Sequence, residues 1–347
     1  MTKEAHQTTA PAPLASELQH ARDMIDAAQS IVIIQAENPD GDSLGSALLL
    51  EHILGDLGKD VSLHCPVEIP KYLRYIRGWD RVEADFNTQA DLAIIVDTSA
   101  QVLLSKTLDQ PGVAHWLQTR PVLVIDHHLE VGDLPFSATM LHQEAAATSM
   151  VVLQLAEYAG WKLSAEAAEN GLIALMSDSL GLSTPSADAA AFAAATRFVE
   201  LGANNAAIEE RRREFMKKAP EILAYKGELL QRIEYYLDGK LAVVHVPWED
   251  IRAYSDQYNP SALVIDEMRL VDGVEVCVAI KTYPDQKLSG KVKTNLPIAH
   301  DIAGAFGGGG HAYVAGFRIY ESYETGLREL IAATDAALQR ACTTAAA

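Results

Sequence analysis

The sequence is poor in cysteine, in basic residues and in long apolar runs. Its 347 residues hold three cysteines, Cys65, Cys277 and Cys342, widely scattered and without a CxxC pair. That speaks against a disulfide framework or a zinc knuckle and fits a reducing, cytoplasmic setting. No apolar run approaches the ~20 residues of a membrane span, and the first twenty residues mix charge, Thr, Pro and Ala without a signal-like apolar core. Neither a membrane partner nor secretion is expected. Lys and Arg number 28 against 47 Asp and Glu, a formal net charge of −19. A balance of that sign disfavours long nucleic acid, duplex DNA included. It leaves room for a short nucleotide in a local pocket, and for a divalent cation.

Apolar residues make up 49% of the chain, enough for a sizeable core, and the length suits about two domains. Ser16–Ser30 has helical apolar spacing. Ile31–Ile34 is a β-branched strand that runs into the turn Glu37-Asn38-Pro39-Asp40-Gly41-Asp42, and Ser43–Leu57 is again helical. Val61–Cys65 reads as a strand. Asp91–Asp97 and Val122–His128 are apolar strands that end in acid, and Ala147–Ala159 is a helix. Leu172–Asp178 is a further apolar run ending in an aspartate, with helix and strand both open by period alone. Strands alternating with helices predict βαβ units and a mainly parallel sheet. An Ala-rich helical stretch, Ala187–Leu201, leads to the charged segment Glu209–Lys218, read as the solvated face of a connecting helix. Beyond Lys240 the texture changes. Leu241–Val246, Val274–Ile280 and Lys287–Lys293 read as strands, and Pro260–Met268 and Ile298–Phe306 as helices, giving a smaller mixed α/β domain.

The chemistry is carried by the acids that close the apolar runs of the first domain: Asp40 and Asp42, Asp97, Asp126 with His127 and His128, and Asp178. In a parallel sheet such ends share one edge, where ligands bind. Carboxylates gathered there repel one another unless cations neutralise them, and carboxylate with imidazole suits Mn²⁺ better than a thiolate site would. Two such ions are the usual clamp on a phosphoryl group in transfer. The second cluster is Gly307-Gly308-Gly309-Gly310-His311. Its glycines allow a backbone to approach a ligand closely, and successive N–H groups there are read as an anion nest.

Together these residues resemble the DHH phosphoesterase family, in particular its bacterial nano-RNase and phosphoadenosine-phosphate phosphatase branch. The match runs through Asn38–Ser46, Asp97, Asp126-His127-His128, Asp178 and Gly307–His311, and spans about residues 16–340. The resemblance implies an α/β fold in three parts: a parallel-sheet catalytic domain over residues 16–190, a helical linker over 191–225, and a smaller DHH-associated substrate-binding domain over 226–340. It implies two Mn²⁺ ions, bridged by Asp97, with Asp40 on the first and Asp42, His127 and Asp178 on the second. His128 would stand beside the reacting phosphate, Asp126 would orient a histidine, and metal-activated water would attack phosphorus. Ser289 and Lys291 fall where the family has a Ser and an Arg on the substrate's terminal phosphate, and Gly308, Gly309, Gly310 and His311 would touch phosphate or ribose.

One position departs from the family. Four residues before Asp40 it has a histidine, and here Ala36 stands there, in Gln35-Ala36-Glu37. Alanine cannot ligate, so the first metal is expected to be weakened and the second intact; Glu37 and Gln35 are nearby but out of register. The leading expectation is a Mn²⁺-dependent phosphodiesterase, a homodimer, that turns short oligonucleotides or linear and cyclic dinucleotides into nucleoside monophosphates. The alternatives are a phosphatase on 3′,5′-bisphosphorylated adenosine and a nucleotide-binding protein with impaired catalysis. The glycine-rich motif disfavours an inorganic pyrophosphatase, and the net charge disfavours a processive exonuclease.

Overall fold

The structure is a computed structural model and describes residues 12–128, 132–255, 258–310 and 312–345. His311, expected at the substrate, lies outside the described residues. The chain divides into two compact units, Met1–Lys217 and Lys218–Ala347.

In the first unit α1 (Ala12–Ala27) leads to β1 (Ser30–Ile34), α2 (Gly41–Asp56), β2 (Asp60–His64), β3 (Val82–Glu83) and β4 (Leu92–Val96). Then come α3 (Ser105–Leu108), α4 (Val113–Thr119), β5 (Val122–Asp126) and β6 (Thr139–His142). Helices α5 (Thr148–Ala159), α6 (Ala165–Asp178), α7 (Ala189–Glu200) and α8 (Asn205–Phe215) complete it. The strands form one parallel sheet in the order β3-β2-β1-β4-β5-β6. The chain leaves the central pair β1 and β4 toward opposite edges, which opens a crevice at their carboxyl ends. Both faces are covered, which is why these strands are continuously apolar. Ile31, Ile33, Ile94 and Ile125 share a core with Leu48 of α2, Val152 of α5 and Leu172 of α6. Val32, Ile34, Ile95 and Val124 pack with Leu104, Trp116 and Leu117.

Two glycines let α2 lie close on α6. A Cβ on Gly45 would stand 2.8 Å from both the Ala174 methyl and the Asn170 carbonyl, and one on Gly41 would strike the Ser177 side chain. The open run Leu172–Asp178 is the second half of α6, a helix capped by the Ser164 hydroxyl and buried on most sides. That burial is the reason its seven residues show no amphipathic period. The acids therefore do not all end strands, as the apolar runs suggested. Asp97 follows β4 and Asp126 closes β5, but Asp40 and Asp42 head a helix and Asp178 ends one.

In the second unit α9 (Pro220–Gln231) is followed by β7 (Glu234–Tyr236), β8 (Leu241–Val246), α10 (Trp248–Tyr254), α11 (Pro260–Met268) and β9 (Val276–Thr282). β10 (Lys287–Thr294), α12 (Ala299–Gly304), β11 (Gly309–Gly310), β12 (Val314–Tyr320) and α13 (Tyr323–Ala345) follow. The sheet runs β11-β12-β10-β9-β8-β7, antiparallel except for β8 beside β9. One face packs on α12 and α13, the other on α9, α10 and α11. The glycine run is not an open nest. Gly307 and Gly308 donate their N–H groups to Gly304 and Ala303 at the end of α12, and Gly309 and Gly310 form an edge strand against β12. A side chain at Gly308 or Gly310 would collide with the β12 backbone.

One buried base gives the first unit a pH dependence. His64 ends β2, wholly buried, with Nε2 3.2 Å from the Thr107 hydroxyl. Burial pulls its pKa from 6.5 down to about 4, against an opposing pull from backbone carbonyls at Asp85 and Glu83 and from the Asp85 charge. A folded-state pKa below the unfolded one favours neutral His64 in the fold, so its contribution is full above pH 6.5 and is lost as pH falls toward 4. Between pH 7.5 and 5 this one group should remove roughly 2 kcal/mol of stability. His64→Leu should lose that part of the acid slope in urea unfolding; identical slopes for the two proteins would contradict the assignment.

Candidate metal centre

The centre forms at the carboxyl ends of β1, β4 and β5. Asp40 is the N-cap of α2: its Oδ1 accepts the N–H groups of Asp42 (3.0 Å) and Ser43 (2.9 Å), and the Ser43 hydroxyl accepts the Asp40 N–H (3.0 Å). This capping box satisfies the first turn of the helix and fixes Asp42, which is buried. Asp42 Oδ1 accepts the Ser46 hydroxyl (2.9 Å) and the Ser149 N–H (3.4 Å), and Oδ2 accepts the Thr148 N–H (2.7 Å). The N-terminus of α5 thus points at a carboxylate, where its dipole is favourable. Asp97 leaves β4 at φ 62°, in the left-handed region, a strain of about 1–3 kcal/mol of the kind stored at functional sites. Its Oδ1 accepts the Thr148 hydroxyl at 3.0 Å.

Asp126 is wholly buried. It accepts the Ser99 hydroxyl (2.9 Å), the His127 N–H (2.8 Å) and the Nδ1–H of His128 (2.7 Å). His127 donates its own Nδ1–H to the Ala145 carbonyl at 2.9 Å. Because a carbonyl only accepts, the neutral ring has one tautomer, with the lone pair on Nε2. That Nε2 lies 3.4 Å from Asp97 Oδ1, 3.6 Å from Asp42 Oδ2 and 3.7 Å from Asp178 Oδ2. Two triads offer donor atoms within 4.8 Å of one another: Asp42, His127 and Asp178, and Asp97, His127 and His128.

The electrostatics fit a cation. Burial and the charge of Asp97 raise the pKa of Asp40, of Asp178 and, most strongly, of Asp42. Burial pulls His127 down, but its contact with Asp97 and the charge of Asp42 outweigh that and push it up to about 10. The cluster therefore holds a proton tightly at the point where a metal would supply positive charge. Asp126 stands apart. Burial pushes it up, yet its bonds from His128 and Ser99 keep it below its ordinary value, and its carboxylate in turn raises His128. Carboxylate oxygens around one imidazole form a donor set suited to Mn²⁺ or a similar divalent ion.

The corner beside Asp40 is less complete. Ala36 is buried and brings only a carbonyl, which accepts the Cys65 thiol at 3.4 Å. Glu37 does not substitute for a histidine there: its Oε2 accepts the Ser105 hydroxyl (3.0 Å) and the Lys106 N–H (2.9 Å). Gln35 is wholly buried, and its amide meets no partner among the described residues. On the rim, the half-exposed Tyr72 donates to the Pro39 carbonyl at 3.5 Å.

The structure thus brings Asp42, Asp97, His127, His128 and Asp178 together, with Asp40 in electrostatic range and Asp126 behind His128. Ser289, Lys291, Gly308, Gly309 and Gly310 lie in the second unit, on β10 and around β11. Sequence reasoning missed Thr148, Ser149, Ser46, Ser99 and the Ala145 carbonyl. A Thr-Ser pair at a helix start gives only a capping signal, whereas Thr148 bonds residues 51 and 106 positions away.

The family model described as DHH family, N-terminal domain, matches residues 30–178. The bifunctional oligoribonuclease and PAP phosphatase NrnA of Thermus thermophilus is 25% identical over 289 residues, which cover 82% of this chain and 83% of that protein. A crystal structure of an exopolyphosphatase-related protein from Bacteroides fragilis superposes with a TM-score of 0.80 at 22% identity, covering 98% of each chain. The exonuclease RecJ bound to manganese has the same fold more distantly, with a TM-score of 0.51 at 16% identity over 94% of this chain and 95% of that one.

Thr148→Val keeps the N–H to Asp42 and removes the hydroxyl from Asp97. It should weaken Mn²⁺ binding about 10- to 100-fold, the usual effect of losing a group that orients a ligand, with little change in melting temperature of the metal-free protein. Ala36→His, which would place an imidazole in the corner beside Asp40, should strengthen divalent-cation binding, titrated with Mn²⁺. Calorimetric titration checks both; unchanged stoichiometry and affinity in Ala36→His would mean that other groups already fill that corner.

Proposed function

Starting from a chain that belongs to the DHH family, with residues 30–178 as that family's N-terminal domain, we propose a Mn²⁺-dependent phosphodiesterase that cleaves very short oligonucleotides or linear and cyclic dinucleotides to nucleoside monophosphates. One observation carries the reading: Asp42, Asp97 and Asp178 gather around the Nε2 of a single histidine whose tautomer is fixed for ligation. The printed activity of the Thermus thermophilus relative supports the substrate class, and a net charge of −19 favours a short substrate over a long one.

In this reading His127, Asp42, Asp97 and Asp178 hold one divalent cation, and Asp40 with Asp97 hold a second more weakly. Bound there, such ions supply a Lewis acid for the phosphoryl group and for water. The chain does the rest. The Ala145 carbonyl aims the His127 lone pair at the carboxylates. Asp126 takes the Nδ1–H of His128, so Nε2 of that half-exposed ring is left to hold or deliver a proton at the phosphate or its leaving oxygen. Ser289, Lys291, His311 and the backbone of Gly308, Gly309 and Gly310 bind the substrate's phosphate or ribose. The active form is a cytoplasmic homodimer.

A second reading has specific support. The name of the same relative includes a phosphatase activity toward PAP, which makes 3′,5′-bisphosphorylated adenosine the competing substrate. The bare corner at Ala36 favours a third, a nucleotide-binding protein of impaired catalysis. Purified protein with Mn²⁺ should be offered a dinucleotide, a cyclic dinucleotide, the bisphosphorylated nucleoside, a longer RNA and pyrophosphate, and the products separated. Monophosphates from the dinucleotides are expected. Turnover confined to the bisphosphate would select the second reading, and binding without any turnover the third. Asp97→Asn should abolish hydrolysis; full activity in that variant would sink the proposed role of Asp97.

A further inference from the structure

Helices α2 and α6 run antiparallel, with Gly41 against Ser177, and Gly45 against Ala174 and the Asn170 carbonyl. One end of the pair carries Asp42 and Asp178. Toward the other end lies a cleft of about 300 Å³, lined by His52 of α2, Arg77 and Arg81 of the segment before β3, and Glu166, Glu169 and Asn170 of α6. Asn170 stands eight residues before Asp178, about 12 Å at the rise of a helix, so the cleft is separate from the metal centre. It is at the small end of the range for ligand pockets, and every side chain that lines it is polar.

Two of the charges at its walls are already met. Arg81 gives Nε to one oxygen of Glu51 at 2.7 Å and an Nη2 hydrogen to the other. Glu169 pairs with Arg211 of α8. Arg77 and Glu166 are left. The side chain of neither makes an ion pair or a hydrogen bond among the described residues, with each other or with any other group. Asn170 is left too: the residue is 2% exposed, yet its Oδ1 has no hydrogen-bond partner. An amide oxygen shut away without a donor is costly. Glu166 and Asn170 are four residues apart on α6, which makes them neighbours on its surface.

We infer that this cleft binds a free amino acid, with its carboxylate on the Arg77 guanidinium and its ammonium group between the Glu166 carboxylate and the Asn170 side chain. A planar guanidinium takes a carboxylate through two parallel hydrogen bonds. An ammonium group only donates, and so answers an unpaired carboxylate and an unpaired amide oxygen together. The balance of charge favours a zwitterion over a phosphate. Arg77, Arg81 and Arg211 stand against Glu51, Glu166 and Glu169, with one cation and one anion free. A dianion would be repelled by Glu166 and a simple cation by Arg77, whereas a zwitterion satisfies both. None of this depends on the proposed function, since the cleft shares no residue with the metal centre.

The test uses the full chain in EDTA. Each of the twenty protein amino acids is screened by thermal shift, and those that raise the melting temperature are titrated by calorimetry. At least one should bind. Its N-acetyl derivative and its amide, which each lack one charge, should bind wild type about 5- to 30-fold more weakly, the size of a lost charge-assisted hydrogen bond. Arg77→Met and Glu166→Gln should weaken the amino acid by a similar factor, and Arg120→Met, an exposed arginine outside the cleft, should not. No binding of any of the twenty, equal binding of the two derivatives, or undiminished binding in either cleft variant would overturn the inference. So would inorganic phosphate that binds through Arg77 while every amino acid is inert. The derivatives are read on wild type, so the inference stays open to refutation even where a variant fails to fold.

Discussion

Negative charge withdrawn from water must be met by positive charge, and the first unit is arranged around that demand. Asp42 and Asp97 are buried within reach of one imidazole. At an effective dielectric of about 20, two like charges 4 Å apart repel by roughly 4 kcal/mol. The fold answers part of this with neutral donors: the α5 N–H groups and the Ser46 hydroxyl on Asp42, and the Thr148 hydroxyl on Asp97. These donors orient the carboxylates without cancelling their charge. The rest falls to His127, held protonated far above its ordinary range, and that proton occupies the lone pair a metal needs. Cation and proton thus compete for one atom, Nε2 of His127.

Delivering these groups to one place depends on chain topology more than on any single contact. Reversal of winding between β1 and β4 leaves a gap above their carboxyl ends, so Asp40 and Asp97 arrive from strands that are neighbours in the sheet but 57 residues apart in sequence. Asp178 comes by another route, at the end of α6, and it reaches the cluster only because Gly41 and Gly45 let α2 and α6 approach closely. A methyl group at Gly45 would push α6 away and move a carboxylate at its far end. Packing and chemistry are coupled there through a residue with no side chain.

This explains what could be seen in the sequence. An apolar run followed by Asp-His-His is a local pattern, and so are the N-cap Asp40 and the strand ending at Asp97, because strand and cap are fixed by neighbours in the chain. The parallel sheet follows from continuous apolar strands that only double coverage explains. Asp178 was visible as an acid, but its carrier was not, since a buried helix and a buried strand are equally apolar over seven residues. Thr148 was invisible as an orienting group because its partners are set by tertiary packing. The glycine run misled in part: glycine permits a nest, a cap or a tight strand edge alike, and hydrogen bonds to Ala303 and Gly304 decide for the latter two.

The substitution at Ala36 makes the two corners of the centre unlike in kind. Asp42, His127 and Asp178 offer oxygen and a fixed nitrogen lone pair. Asp40 offers a carboxylate already engaged as a helix cap, and the adjacent chain adds nothing: Glu37 would have to give up both the Ser105 hydroxyl and the Lys106 N–H to turn inward. A cation held by Asp40 and Asp97 alone meets only oxygen and keeps most of its water. Such a site binds by charge more than by coordination preference, so hard, strongly hydrated ions suit it better than those that favour imidazole. On the two-ion reading, alanine at position 36 would therefore change more than affinity. It would separate the ion preferences of two positions that share Asp97, with the corner built around His127 offering the fuller donor set.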